Sequence, residues 1–332
     1  MLKYIGKRLL MMIPTLIGIT IVVQLLLYIV PGDPVVIMLG SRATPELVEE
    51  TREELGLNDP VYVQYFRYVG KVLHGDFGSS LITKRPVTDE IVQRFPYTLF
   101  LVTLVMALAV VLGVPLGVFA AIHHNTWKDN IAMFFALFCV AMPSFWFALL
   151  LVQFFGVNLR VLPLDGVSSW KSWVMPVVSL ALCNVALIAR QTRSNVLETI
   201  RQDYITTARA KGCSEGKVIY YHCLKNALIP VITVVGGVFG VLLGGVLVTE
   251  VIFSIPGMGQ YTLTALMSRD YPVIQSSVLI LSTVFSIVIL IVDIVYALID
   301  PRIRSQFTGG KAKKSKQAAL PVSEPESSEA TE

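Results

Sequence analysis

Charged residues are scarce in this chain, at 15% of its 332 residues, where soluble domains carry about 25%. With 54% hydrophobic residues and a mean hydropathy of +0.68, the scarcity excludes an ordinary soluble domain and points to lipid as solvent. A formal charge of +4 is too small to suggest a nucleic-acid partner. The four cysteines, Cys139, Cys183, Cys213 and Cys223, form no CxxC pair and avoid the loops where a disulfide is expected, which excludes a disulfide scaffold and argues against a metal or redox centre. Four scattered histidines (74, 123, 124 and 222) supply no ligand cluster. No HExxH or GxSxG motif is present. The run from Gly212 to Val218 imitates a phosphate loop, but only three residues separate its glycines and Val218 stands where a hydroxyl must reach magnesium.

What the chain does have is long apolar runs. Six segments, 9–30, 97–121, 131–155, 173–190, 228–250 and 274–299, approach the ~20 residues needed to cross a bilayer. The fourth is interrupted by Pro176, Cys183 and Asn184. The first follows Lys3, Lys7 and Arg8, exceeds a signal-peptide core in length and lacks a cleavage site, so it reads as an uncleaved anchor. With the N-terminus inside, the inner segments hold three Lys or Arg before the first span, Lys128, seven in 190–227 and six in the tail. The short outer loops hold Arg160, Lys171 and Arg269 alone. Both termini are therefore expected in the cytoplasm.

Four regions follow: an anchor helix at 1–30, an extracytoplasmic helical segment at 31–96, a transmembrane core at 97–304 with a loop at 190–227, and a cytoplasmic tail at 305–332. In the second region Thr44, Pro45 and Glu46 predict a helix start and Gly56 its end. Val61 to Leu73 carries aromatics at helical spacing. The tail, rich in Lys and then in Ser, Glu and Pro, has little to bury and is expected to be disordered. Gly236, Gly240 and Gly244 share one face of the fifth span, suiting either packing within the chain or an intersubunit or pathway seam. Gly113 and Gly117 repeat the device more weakly. Glu250, at the outer end of that span, faces a pathway or water, and Asp293 suits an ion pair or cap near Arg302 and Arg304, with a proton relay as the alternative.

The segment from Asp203 to Pro230 is long, basic and amphipathic between two apolar spans. Val196, Leu197, Ile200, Tyr204 and Ala208 recur at helical spacing, while Arg193, Arg201, Arg209 and Lys211 supply a basic side. Gly212 falls where a helix-ending glycine belongs, Ser214 and Glu215 start a second helix, and Pro230 opens the next span. From pattern alone this helix, glycine, helix unit suits a partner-docking element or an amphipathic helix on the membrane surface. A self-contained secondary transporter, the alternative, calls for more intramembrane ionisable groups and repeated halves. An intramembrane enzyme calls for a paired catalytic constellation, and Asp293 stands alone.

The segment resembles the cytoplasmic signature of bacterial ABC-importer membrane subunits, an EAA core, three residues, then Gly. Gly212 matches the glycine, Ala208 the second alanine and Leu224 the later leucine; Thr206 and Thr207 replace the Glu and first Ala, and Lys225 replaces the proline. ARAKG at 208–212, KNALIP at 225–230, PGDP at 31–34, GDFGSS at 75–80, PGMG at 256–259, RDYP at 269–272 and DPRIR at 300–304 resemble the dipeptide, oligopeptide and nickel permease branch. The resemblance covers residues 1–304. It implies an all-α, six-span permease like those of type I ABC importers, in a bacterial inner membrane. It also implies a second, related permease, two ATPase subunits and an extracytoplasmic binding protein as partners. No cofactor belongs to this chain on that reading; ATP and Mg are held by the ATPases. The implied coupling residues are Tyr204, Thr207, Ala208, Arg209, Ala210, Lys211, Gly212, Ser214 and Lys217. The implied cargo is a short peptide, with nickel chelates and glutathione among the related solutes.

Overall fold

A computed structural model describes residues 2–299 apart from Asp165. The expected disordered tail and the two arginines proposed beside Asp293 lie outside the described residues. The first long helix is α1 (Leu2–Ile29). Four elements then build a cap: α2 (Pro34–Leu39), α3 (Pro45–Glu54), α4 (Val61–Leu73) and the outer turns of α5 (Val87–Ile122). Local chemistry sets their starts. Asp33 precedes Pro34 and accepts the Val35 N–H at 2.9 Å, and Thr44 precedes Pro45 and accepts the Leu47 N–H at 3.3 Å. Gly56, with φ +65, follows α3, a turn that disfavours residues with a Cβ.

The core helices are α6 (Trp127–Ala141), α7 (Ser144–Leu151), α8 (Val174–Thr199), α9 (Asp203–Ala210), α10 (Glu215–Lys217), α11 (Leu224–Gly245), α12 (Leu247–Ile252), α13 (Met258–Ser268) and α14 (Tyr271–Ile299). Among the described residues five helices are long and apolar enough to cross a membrane, and the bent pair α6–α7, taken as one span, gives a sixth. That pair corrects the straight third span: the two halves meet at 94°. Pro143 follows Met142, whose extended ψ of 127° is the conformation a following proline imposes. The fourth span is neither short nor broken, because Pro176 lies in the first turn of α8 and the Asn184 amide donates to Leu180 O at 2.7 Å. Pro230 does not open the fifth span either. It lies inside a helix running from Glu215 to Gly245, where it forfeits only one i to i−4 bond.

The most extensive helix pairing joins α5 to α8. A Cβ at Gly113 would crowd Val185 O and Ile188, and one at Gly117 would overlap Ala189 O and Thr192. These two glycines, expected to be the weaker pair, therefore let backbones meet most closely. Leu101, Val105, Ile188 and Leu243 are buried around the seam with Ile255 from the segment before α13. The α1–α14 pair closes the other flank. Gln24 is joined to Gln275, Tyr271 donates its hydroxyl to Leu27 O at 3.3 Å, and Arg8 meets Asp293 at 3.1 Å.

Candidate functional site

The helix, glycine, helix segment forms a hook at one end of the core. Helix α9 ends at Ala210, and Gly212 follows with φ +79. The Gly212 N–H donates to Arg209 O at 2.9 Å and the Cys213 N–H to Ala208 O at 3.3 Å, the paired bonds of a Schellman stop. Ala208 and Cys213 belong to the same apolar cluster, completing the hydrophobic contact of that motif. Across the turn Arg209 Nε donates to Glu215 Oε1 at 2.7 Å and Nη2 to Oε2 at 3.2 Å, tying α9 to α10. That hydrogen bond keeps the Arg209 guanidinium above its already high ordinary range. Tyr204 accepts from the Asn226 amide at 2.9 Å, fixing α9 against α11.

Burial divides the hook into an anchor and a rim. Ile205 and Ala208 pack with Val118 and Ala121 of α5, Val196 of α8, and Val218, Cys223 and Ala227 leading into and within α11. Tyr204, Thr207, Arg209, Ala210, Lys211, Gly212, Ser214 and Lys217 are all exposed. Beyond Gly212 the space is open where a Cβ would stand. Ala208 thus parts company with the other eight, since it is buried in the anchor. Arg193 also departs from the basic side expected of it. It turns inward to a bidentate pair with Asp129, both contacts at 2.6 Å. Its Nη2 donates to His124 Nδ1 at 3.0 Å, and the Asn125 N–H reaches Asp129 Oδ2 at 3.2 Å. Asp129 is buried, so this cluster clamps the α5–α6 turn onto α8 beside the hook.

At the opposite end, Glu250 meets neither water nor an open pathway. It is fully buried. Its Oε1 accepts the Thr98 hydroxyl at 2.6 Å, and its Oε2 accepts the Gln260 N–H at 2.9 Å. Thr98 Oγ1 in turn accepts the Met258 N–H at 2.8 Å. The PGMG segment wraps the carboxyl: a Cβ at Gly257 would overlap Glu250, and one at Gly259 would strike both Leu247 and Glu250. One side chain thereby joins α5, α12 and the start of α13. Along α11, Gly236 faces Val292 and Gly240 faces Phe285, both of α14, while Gly244 has open space beside it. Two of the three stripe glycines therefore pack within the chain. Neither the clamp nor the Glu250 latch was legible beforehand; an acid in the first turn of α6 was the only local signal for the former.

The cap holds a half-open cavity of about 920 Å³ between α1, α3, α4, the 76–81 loop and the start of α14. Arg52, paired with Asp33, and Arg67, paired with Asp59, line it together with Lys71 and Lys84. The Tyr68 phenol on its wall is pushed up to about 12 by burial. Next to it Ser80 donates to Asp270 Oδ2 at 2.5 Å and the Leu81 N–H reaches Asp270 Oδ1 at 3.0 Å, stitching the GDFGSS segment to RDYP.

Apolar helices packed through small-residue seams, a bent helix pair, the Glu250 latch and an exposed polar hook define a multi-pass membrane protein. Residues 113–305 match the family of binding-protein-dependent transport system inner membrane components, and residues 1–102 match the N-terminal membrane component of such systems. The chain belongs to this family. It is 42% identical over 304 residues to the glutathione transport system permease protein GsiC of Escherichia coli (strain K12), which covers 92% of this chain and 99% of that relative. The protein of the same name from Salmonella paratyphi A (strain ATCC 9150 / SARB42) gives the same figures. The fold is similar to a crystal structure of the inward-facing MetNI methionine ABC transporter, with a TM-score of 0.56 at 16% identity, covering 64% of this chain and 96% of that one.

Proposed function

We propose that this permease subunit couples ATP hydrolysis in separate ATPase subunits to uptake of a short peptide, through the exposed rim of the α9 hook. The observation that carries the reading is the division of that hook. Ile205 and Ala208 root α9 among α5, α8 and the start of α11, while the other eight predicted contact residues are exposed around Gly212. A rigid body pressing on the rim moves three spans together. The small, open surface at Gly212 admits close approach, and the Schellman stop keeps the turn from yielding. On this reading the hook and both termini are cytoplasmic, in agreement with the Lys and Arg distribution. The cap at 31–96 and the α12–α13 element then face an extracytoplasmic binding protein. A second, related permease completes the pathway, and nucleotide and magnesium are bound by the ATPases alone. The relatives' glutathione transport makes this thiol tripeptide the first solute to test among short peptides.

The experiment replaces Gly212 by Trp. Expected is full membrane insertion with loss of uptake and of ATPase co-purification, because an indole there blocks the approach. Retention of both uptake and ATPase recruitment overturns the coupling assignment. Uptake of radiolabelled glutathione, dipeptides and nickel by the parent complex assigns the cargo; accumulation of nickel alone refutes the peptide reading.

A further inference from the structure

We propose that α4 is an interfacial helix whose Tyr62, Phe66 and Leu73 stripe lies against membrane lipid, in the leaflet on the cap side. The α1–α14 pair supplies a depth scale. Arg8 meets Asp293 at one end and Leu27 O accepts from Tyr271 at the other. At 1.5 Å per residue, Arg8 and Leu27 lie about 29 Å apart along α1, which matches the ~30 Å hydrocarbon core. We take these two levels, which fall within the apolar spans Ile5–Ile29 and Tyr271–Val295, as the edges of the apolar layer. Thr20 lies about 10 Å inside the cap-side edge on the same scale. Its hydroxyl is hydrogen-bonded to the Tyr65 hydroxyl at 3.0 Å. The middle of α4 thus hangs beside α1 below the membrane edge, in the ~5–10 Å range typical of interfacial helices.

The faces of α4 agree with that depth. Tyr62, Phe66 and Leu73 recur at intervals of four and seven residues, forming a stripe next to Tyr65. They are 65%, 69% and 79% exposed. Ile17, Ile21 and Leu25, at the neighbouring levels of α1, are exposed as well. Gln64, Arg67 and Lys71 occupy the other side and line the cap cavity. Aromatic residues on one side and cations on the other are the composition of a membrane-surface helix. In water this stripe is an exposed apolar patch; at the depth inferred from α1 it is solvated by acyl chains and glycerol.

The test places a nitroxide at Phe66→Cys, Tyr62→Cys and Leu73→Cys, one at a time, in a chain whose four native cysteines are Ala. The chain is reconstituted in phosphatidylcholine and phosphatidylglycerol vesicles with the subunits that co-purify with it. Expected at the stripe is greater collision with oxygen than with a water-soluble nickel complex, and the reverse at Glu53→Cys on α3. A water-like profile at the stripe overturns the proposal. Shielding from both reagents overturns it too, in favour of a protein covering α4. Where the cysteine-free chain does not fold, brominated-lipid quenching of Phe66→Trp against the parent decides: added quenching supports the lipid contact, and none refutes it.

Discussion

Removing the Glu250 carboxyl should loosen α13 before it affects any other part of the molecule. Glu250→Ala strands two donors, the buried Thr98 hydroxyl and the part-buried Gln260 N–H. Each loses its carboxylate partner, at about 1–3 kcal/mol apiece. The local cost is then about 2–6 kcal/mol, or roughly 30-fold to 10⁴-fold in the equilibrium for opening α13, at about 1.4 kcal/mol per tenfold. Glu250→Gln keeps the volume and one acceptor, so about half that loss is expected. Thr98→Val removes the third member, and the cycle with Glu250→Ala should show coupling of about 1–3 kcal/mol, because both side chains belong to one network. The assay is hydrogen exchange followed by mass spectrometry in lipid nanodiscs, with peptides covering Met258–Ser268 compared with those from α5 and α8. Protection should fall in α13 and persist in the α5–α8 seam. If the α13 amides of Glu250→Ala exchange within about twofold of the parent, the latch contributes nothing and the reasoning fails.

Two further outcomes follow from packing and charge. Gly117→Leu drives a side chain into Ala189 O and Thr192, and its cost of about 1–3 kcal/mol or more should appear as lower folded yield and a lower apparent Tm in detergent, whereas Gly237→Ala, which meets only open space, should leave both unchanged. Asp129→Ala leaves the part-buried Arg193 of α8 beside the α5–α6 turn without its carboxylate, at about 1–3 kcal/mol. Replacing both by Ala should recover part of that loss, and a double variant no more stable than the single one in thermal scans refutes the clamp.

How much the sequence disclosed depends on how local the cause is. The helix stop at Gly212 was legible because its cause is local: a helical stripe up to Ala208, then a glycine, then the N-terminal signal of Ser214 and Glu215. The starts at Asp33 and Thr44 were legible for the same reason. The bend at Pro143 was hidden because a hydropathy window sums composition and carries no direction. Glu250 looked like a candidate for water because its partner Thr98 lies 152 residues away along the chain. Arg193 looked like part of a basic face because Asp129, 64 residues earlier, reveals itself only once α6 folds back. The glycine pairs were ranked wrongly because spacing says which residues share a face but not which neighbour that face meets.

The continuous course of α5 has a mechanical consequence. Near one end Val118 and Ala121 are embedded with Ile205 and Ala208 of the hook, and near the other Thr98 is bonded to Glu250 and Met258. Thr98 and Val118 are about 30 Å apart along a helix that runs unbroken through Pro115. A stiff rod of that length acts as a lever arm: about 5° of tilt displaces its far end by about 2.6 Å, roughly the length of the bonds that hold α13. A small stroke at one face is therefore sufficient to strain a single hydrogen-bonded joint at the other, without any helix having to unwind between them.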